Sequence, residues 1–138
     1  MSLDDGEVDV VISNAFLEHI DRVDDVLAEL ARITRPGGFG IHVLDATDHR
    51  IYGNARIHPL EFLRDQSGRE IVEGSNRLRP ATFVKRFEAH GFEVVDVFVQ
   101  QRVAVDDPLR RSFAEPFRSM TNEELAPTNA RISVRRRR

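Results

Sequence analysis

Residues 8–19 read VDVVISNAFLEH, a short apolar run that ends abruptly in Ser13 and Asn14 and then in an acid and a histidine. Val8–Ile12 carries apolar residues on both faces, which is typical of a parallel strand covered by helices on each side. Apolar residues at helical spacing follow, and the predicted helix stops at Pro36-Gly37-Gly38 before a second strand that closes at Asp45. The order of strand, helix and strand predicts a βαβ unit with a right-handed crossover.

The remainder of the chain predicts two more strands and further helices in a single domain over residues 1–138. The fold class is therefore α/β, with about four strands and flanking helices. The local signals are an N-cap at Asp21, a helix opened by Pro80 and stopped by Gly91, a strand over Phe92–Val99, a capping box of Thr121 with Glu124, and a strand over Asn129–Arg135.

Composition excludes several classes of protein. The chain has 138 residues, is 41% hydrophobic and 31% charged, and contains no cysteine, so disulfide frameworks, thiolate metal sites and cysteine nucleophiles are excluded. No apolar run reaches the roughly 20 residues that cross a bilayer, and the acidic start of the chain lacks a signal peptide's apolar region, so no membrane partner and a cytoplasmic location are expected.

Charge argues against a nucleic-acid partner. The net charge is −3, and the basic residues at the end of the chain, Arg135–Arg138, form only a short run. Such a tail can bind phosphates. We interpret it as a solubilising terminus, the more common role of a run this short.

Residues 46–80 differ from the rest of the chain because they are polar and contain one short apolar cluster. A polar excursion of this length inside a compact domain is usually a lid or binding segment. We therefore predict a lid-like insertion over 46–80, irregular or mobile because it has little apolar surface to bury.

Polar side chains stand where the two parallel strands end. Ligands in open α/β sheets bind at the carboxyl ends of the strands, so Ser13, Asn14 and Asp45 are predicted site residues. His49 and Tyr52, which follow Asp45, are predicted to line the same pocket. Arg77 is predicted to bind an acidic substrate group through its forked donors, or alternatively to anchor the lid with Arg79 by salt bridges.

His42, Asp45, Asp48 and His49 are imidazole and carboxylate side chains, the ligand types of a metal site. His42 and Asp45 are three residues apart on a strand, so their side chains point to opposite faces. The sequence therefore predicts no metal.

Four stretches together carry a family resemblance. They are DDGEVDVVISNAFLEHI (4–20), LAELARITRPGGFGIHV (27–43), SNRLRPATFVKRFEAHGFEVV (75–95) and TNARISVR (128–135). They resemble the second half of class I S-adenosylmethionine-dependent methyltransferases. The resemblance implies a partial Rossmann-like sheet whose last strand is antiparallel. In the family a Gly-rich loop and an acidic residue bind the cofactor, and both precede the matching region; Gly37-Gly38 follows a helix and is not that loop.

The resemblance also implies roles for the residues after the first strand. Ser13, Asn14, Ala15 and Phe16 would lie beside the methionine end of S-adenosylmethionine, and Glu18 and His19 would face the substrate pocket. His19 would be the general base, since an imidazole titrates near neutral pH. Two plainer alternatives stay open: Ser13 and Asn14 cap a helix, and His19 hydrogen-bonds backbone.

Two functions follow from these observations. The first is a methyltransferase with a small-molecule acceptor, inactive as this fragment alone. The second is a non-catalytic module that dimerises or binds a partner. A homodimer through Val8–Ile12 or the neighbouring helix is expected, because the strand would otherwise present an unpaired edge.

Overall fold

The computed structural model describes residues 2–138. The strands are β1 (Val8–Asn14), β2 (Thr34–Asp45), β3 (Phe92–Arg102) and β4 (Pro127–Arg136), and the helices are α1 (Val23–Ile33), α2 (Pro80–Ala89), α3 (Asp107–Arg111) and α4 (Asn122–Leu125). Short 3-10 turns occur at Leu17–His19, His49–Tyr52, Glu61–Arg64 and Phe117–Ser119. Over residues 2–138, the helices are all too short or too polar to cross a membrane.

The four strands form one mixed sheet in the order β1-β2-β4-β3. β1 pairs with β2 in parallel, whereas β4 pairs antiparallel with both β2 and β3. The α/β class, the four strands and the antiparallel last strand are confirmed. α1 connects the parallel pair, as the βαβ pattern predicted.

The second strand begins earlier than predicted. β2 starts at Thr34, directly after α1, so Pro36-Gly37-Gly38 lies inside the strand and is not a separate turn. The register jumps from Val8 opposite Thr34 to Val10 opposite Phe39, so these residues form an irregularity in the pairing. Gly38 is needed there because a Cβ would approach the Asp9 carbonyl oxygen to 2.9 Å.

Capping was predicted correctly at one helix and wrongly at another. Thr121 and Glu124 form the complete capping box of α4. The N-cap of α1 is Arg22, not Asp21, and no side chain caps it. Asp21 instead accepts a hydrogen bond from the Arg22 backbone N–H at 2.7 Å, because the helix begins one residue later than the pattern suggested.

The main core lies on one face of the sheet, under α1 and α2. Its fully covered members come from the turn after β1, from both helices and from β2, β3 and β4: Leu17, Val23, Leu27, Leu44, Phe83, Phe87, Phe92, Ile132 and Val134. The apolar face of α1 is therefore covered. α2 packs beside α1 on the same side of the sheet, and Val26 and Leu30 are partly buried against this core.

The opposite face of the sheet has no helix over it within residues 2–138. Val10 is 50% exposed, Ile12 71% and Phe98 53%, and Phe39 and Ile41 are also exposed. The expectation that Val8–Ile12 is covered on both faces is therefore wrong for the described chain. We name these five side chains the open sheet face.

Residues 46–80 are mostly irregular, and they contribute more to the core than their composition suggested; the lid role stays a prediction. Leu60, Phe62, Leu63 and Val72 are buried in a second apolar cluster with side chains from the region around α3 and α4. Arg79 is fully buried, and its guanidinium donates to the carbonyls of residues 46, 125 and 127 at 2.6, 3.2 and 2.6 Å. Arg79 thus links the C-terminal end of this segment to its own start and to the beginning of β4.

Candidate functional site

Two 3-10 turns bring polar side chains together at the carboxyl ends of the parallel strands. The turn Leu17–His19 follows β1, and the turn His49–Tyr52 follows β2. Together with the last residue of β2 they place five polar side chains at one end of the sheet. We name this group the strand-end cluster: Glu18, His19, Asp45, His49 and Tyr52.

The two carboxylates of the cluster have opposite environments. Glu18 is fully buried, and burial raises its pKa; its Oε1 accepts from the Asp45 backbone N–H at 2.9 Å. Burial alone would also raise the pKa of Asp45, but hydrogen bonds from Thr47 and Tyr52 outweigh burial and lower it. Asp45 is therefore the carboxylate that stays ionised most readily, and the Tyr52 hydroxyl is held against it.

The two histidines of the cluster face each other. Their ring centroids are 5.0 Å apart, and Nδ1 of His19 lies 2.6 Å from the Gly74 carbonyl oxygen. Because a carbonyl only accepts, His19 must donate from Nδ1, which leaves its Nε2 with a free lone pair when the ring is neutral. His49 Nε2 lies 3.6 Å from Asp45 Oδ2, beyond hydrogen-bond range.

Asn76 positions the first turn and was missed by the sequence reasoning. Its side-chain amide donates to the carbonyls of Leu17 and Ile20, both at 2.8 Å, and its backbone N–H donates to the Glu18 carbonyl at 2.7 Å. A contact across this distance in sequence leaves no local signal. Residues 46–80 therefore hold Glu18 and His19 in place through Asn76.

The predicted cofactor residues, Ser13–Phe16, lie at the end of β1 and just before the turn Leu17–His19. Ser13 Oγ shares a hydrogen bond of 2.8 Å with Nδ1 of His42, on the helix-covered face. Asn14 is exposed, and Ala15 adopts the left-handed region with φ of 47° where the chain leaves β1. Phe16 is 48% exposed. The cofactor role of these four residues stays a prediction.

Arg77 lies apart from the strand-end cluster. Its guanidinium donates to the carbonyls of Phe62, Asp65 and Arg69 at 3.2, 3.1 and 3.2 Å. Through these backbone acceptors Arg77 links parts of residues 46–80 to one another. The alternative interpretation had expected salt bridges instead. Its substrate role stays a prediction.

The four residues weighed as a metal set at the sequence level are separated in the structure. His42 is buried against Phe87, with ring centroids 4.8 Å apart, and Asp48 is paired with Arg50. A different set does converge: Glu18, His19 and His49 place ligand atoms within 4.8 Å of one another. Sequence spacing gave no sign of it, because the turn after β1 and the turn after β2 meet only in the folded sheet.

Comparison with other proteins identifies this fold. A family model described as a methyltransferase domain matches residues 1–41. One chain of the Haloferax volcanii complex between the Trm112 methyltransferase activator and its methyltransferase superposes with a TM-score of 0.60 at 18% identity, over 100% of this chain and 58% of that one. The chain has a methyltransferase fold.

Two further structures agree with the methyltransferase fold. An S-adenosylmethionine-dependent methyltransferase from Mesorhizobium loti gives a TM-score of 0.56 at 15% identity, over 99% of this chain and 65% of that one. A Listeria monocytogenes structure described in the same terms gives 0.58 at 13% identity, over 100% and 65%. Among curated proteins none matches the sequence. The chain thus spans less than two thirds of the length of these three structures, and at such identities the likeness concerns the fold alone.

Proposed function

We propose that this chain forms the acceptor side of an S-adenosylmethionine-dependent methyltransferase that acts on a small molecule. The methyltransferase fold and the family match to residues 1–41 support the reaction class. The observation that carries the acceptor role is the His19 ring, which donates from Nδ1 to Gly74 and keeps an Nε2 lone pair at the end of the parallel strands. A free imidazole lone pair of this kind is what a general base requires.

The side chains would divide the work of methyl transfer as follows. S-adenosylmethionine, when bound, supplies an electrophilic methyl group. His19 Nε2 takes the proton from the acceptor's hydroxyl or amine as its heteroatom attacks. Asp45 holds the Tyr52 hydroxyl, which orients the acceptor, and alignment of the reacting atoms supplies much of the rate.

The cofactor residues in this chain amount to one wall of a site. Ser13–Phe16 are present, but the sequence holds no Gly-rich loop after a strand and no acidic residue in the place where the family binds ribose. We therefore expect the 138-residue chain to have no useful affinity for S-adenosylmethionine and no activity alone. A cytoplasmic location, favoured by the composition, belongs to the same proposal.

Calorimetry tests this expectation directly. Titrating S-adenosylmethionine, and separately its demethylated product, into the 138-residue chain should give no heat of binding at micromolar concentrations. Micromolar binding would contradict the proposal that the cofactor side lies elsewhere. The in-frame sequence upstream of Met1 gives a second test: a strand, a Gly-rich loop and a later acidic residue would support the methyltransferase assignment.

A second function, a dimerising or partner-binding module, is favoured by the uncovered side of the sheet. β1 pairs only with β2 in the described chain, and the open sheet face exposes large apolar side chains beside that free edge. Exposed apolar surface next to an unpaired strand edge is usually buried against another chain. We propose a homodimer that covers β1.

Light scattering on matched variants tests the dimer. Val10 in β1 and Val95 in β3 are both 50% exposed, but they lie on strands at opposite edges of the sheet. Val10→Lys should shift the mass to that of a monomer, whereas Val95→Lys should leave the dimer intact. A folded wild-type monomer, or a dimer that tolerates Val10→Lys, would contradict the proposal.

A further inference from the structure

The strand-end cluster contains a set of potential metal ligands that come from two separate turns. One carboxylate oxygen of Glu18 and one nitrogen each of His19 and His49 lie within 4.8 Å of one another. Zinc with ligands at about 2.1 Å holds them about 3.4 Å apart in a tetrahedral site. The widest pair would therefore need to close by little more than an ångström.

Two atoms of this set are buried without a partner. Glu18 is 0% exposed, and its Oε2 has no hydrogen-bond partner within the described chain. His49 Nε2 is shielded from solvent and also has none. A buried acceptor left unpaired is destabilising, and more so when the group is charged. Both atoms belong to side chains of the same three-residue set, so one cation bound among these side chains would give each of them a partner.

The other polar atoms of these side chains are held by backbone groups. His19 donates from Nδ1 to the Gly74 carbonyl at 2.6 Å, which orients the ring and leaves Nε2 as its free acceptor. Glu18 Oε1 accepts from the Asp45 backbone N–H at 2.9 Å, which leaves Oε2 for the cluster. Metal-binding histidines and carboxylates characteristically carry such outer hydrogen bonds.

The chemistry of the ligands indicates the kind of ion. Two imidazoles and one carboxylate suit zinc and related divalent transition metals, whereas calcium and magnesium prefer oxygen ligands. Three protein ligands leave a coordination position open, as catalytic zinc sites do. We propose that Glu18, His19 and His49 bind one zinc-class divalent ion at the carboxyl ends of β1 and β2.

This inference deepens the proposed function and, for its catalytic meaning, rests on it. The Nε2 lone pair of His19 cannot hold a metal and take a proton at once, so in the metal-bound protein it is a ligand. An acceptor hydroxyl at the open position would then lose its proton to solvent more easily, because a metal ion lowers the pKa of a bound hydroxyl. Tyr52, which is 71% exposed, lies beside the cluster with its hydroxyl on Asp45.

Titration with Zn²⁺ alone tests the site on the 138-residue chain. We expect one ion per chain with micromolar or tighter affinity, and no comparable binding of Mg²⁺. His19→Ala, His49→Ala and Glu18→Gln should each weaken Zn²⁺ binding at least tenfold. His90→Ala is the matched control, since His90 pairs with Asp24 on the helix side of the protein and should leave the affinity unchanged.

Circular dichroism shows whether each variant folds. NMR spectra of the wild type report metal contact directly through the ring signals of His19 and His49. Zn²⁺ should shift both sets of ring signals together, even if a variant fails to fold. Binding weaker than about 100 µM, equal losses in His90→Ala, or unshifted ring signals would overturn the site. Failure here would leave the proton-acceptor role of His19 intact, whereas failure of methyl transfer would leave the metal site intact.

Discussion

Acidification should destabilise this fold through one buried side chain, His42. The ring is 1% exposed, packs against Phe87 and shares a hydrogen bond with Ser13. Burial lowers the pKa of His42 from 6.5 to about 4. Well above pH 6.5 the ring is neutral in both the folded and the unfolded chain, so it adds no pH dependence there.

Below pH 6.5, protonation of His42 favours the unfolded chain. Between pH 6.5 and about 4 the unfolded chain binds a proton at His42 that the folded chain does not, so stability falls as the pH falls. At about 1.4 kcal/mol per pH unit, the full loss is about 3 kcal/mol, of which about 2 kcal/mol is reached near pH 5. Because typical domains have only about 5–15 kcal/mol of stability, this loss is easily measured.

Urea unfolding at several pH values, with and without His42→Gln, measures the contribution. Glutamine keeps a polar group near Ser13 but does not titrate, so other pH effects cancel in the difference between the two proteins. The free energy of unfolding of the wild type should fall by about 2 kcal/mol more than that of the variant between about pH 7.5 and pH 5. Parallel curves, or an NMR titration of His42 with a midpoint near 6.5, would refute the reasoning.

Three further predictions concern stability and exchange. Arg79→Met should lower the free energy of unfolding by about 3–5 kcal/mol in chemical denaturation, because three buried carbonyls lose a charged donor; a loss below about 1 kcal/mol would contradict this. Thr121→Ala should cost about 1 kcal/mol, since it removes half of the α4 capping box, and Thr121→Ser should recover most of it. Amides of residues 46–80 should exchange with deuterium faster than those of Val94–Val99, apart from the buried stretch around Leu60–Leu63. If the amides of residues 46–80 were as protected from exchange as those of Val94–Val99, residues 46–80 would open only together with the core.

Local chemistry made much of the fold predictable from the sequence. The helix from Pro80 to the glycine at position 91 was placed correctly because proline suits the first turn and Gly91 takes a φ of 84°. The capping box at Thr121 was equally local. α1 ends just before Pro36-Gly37-Gly38, as predicted, but these residues are not a separate turn, because pairing with β1 makes them an irregular part of β2.

The candidate site was predictable in location but not in its contacts. Ser13, Asn14 and Asp45 were placed at the strand ends by topology alone, and the structure places them there. In the structure, Ser13 hydrogen-bonds to His42, and Arg77 donates to backbone carbonyls within residues 46–80. Each of these partners is far away in sequence, so no pattern of spacing could show it.

The sequence by itself determined the secondary elements and their class, because strand alternation, helix periodicity and capping are set by neighbouring residues. Only the tertiary structure decided which polar atoms meet. Glu18 and His49 are 31 positions apart in the chain, and they converge because the carboxyl ends of parallel strands share one edge of the sheet. Only the tertiary structure, likewise, left Val10 and Ile12 uncovered, since whether a second layer of helices covers a strand depends on where distant elements pack.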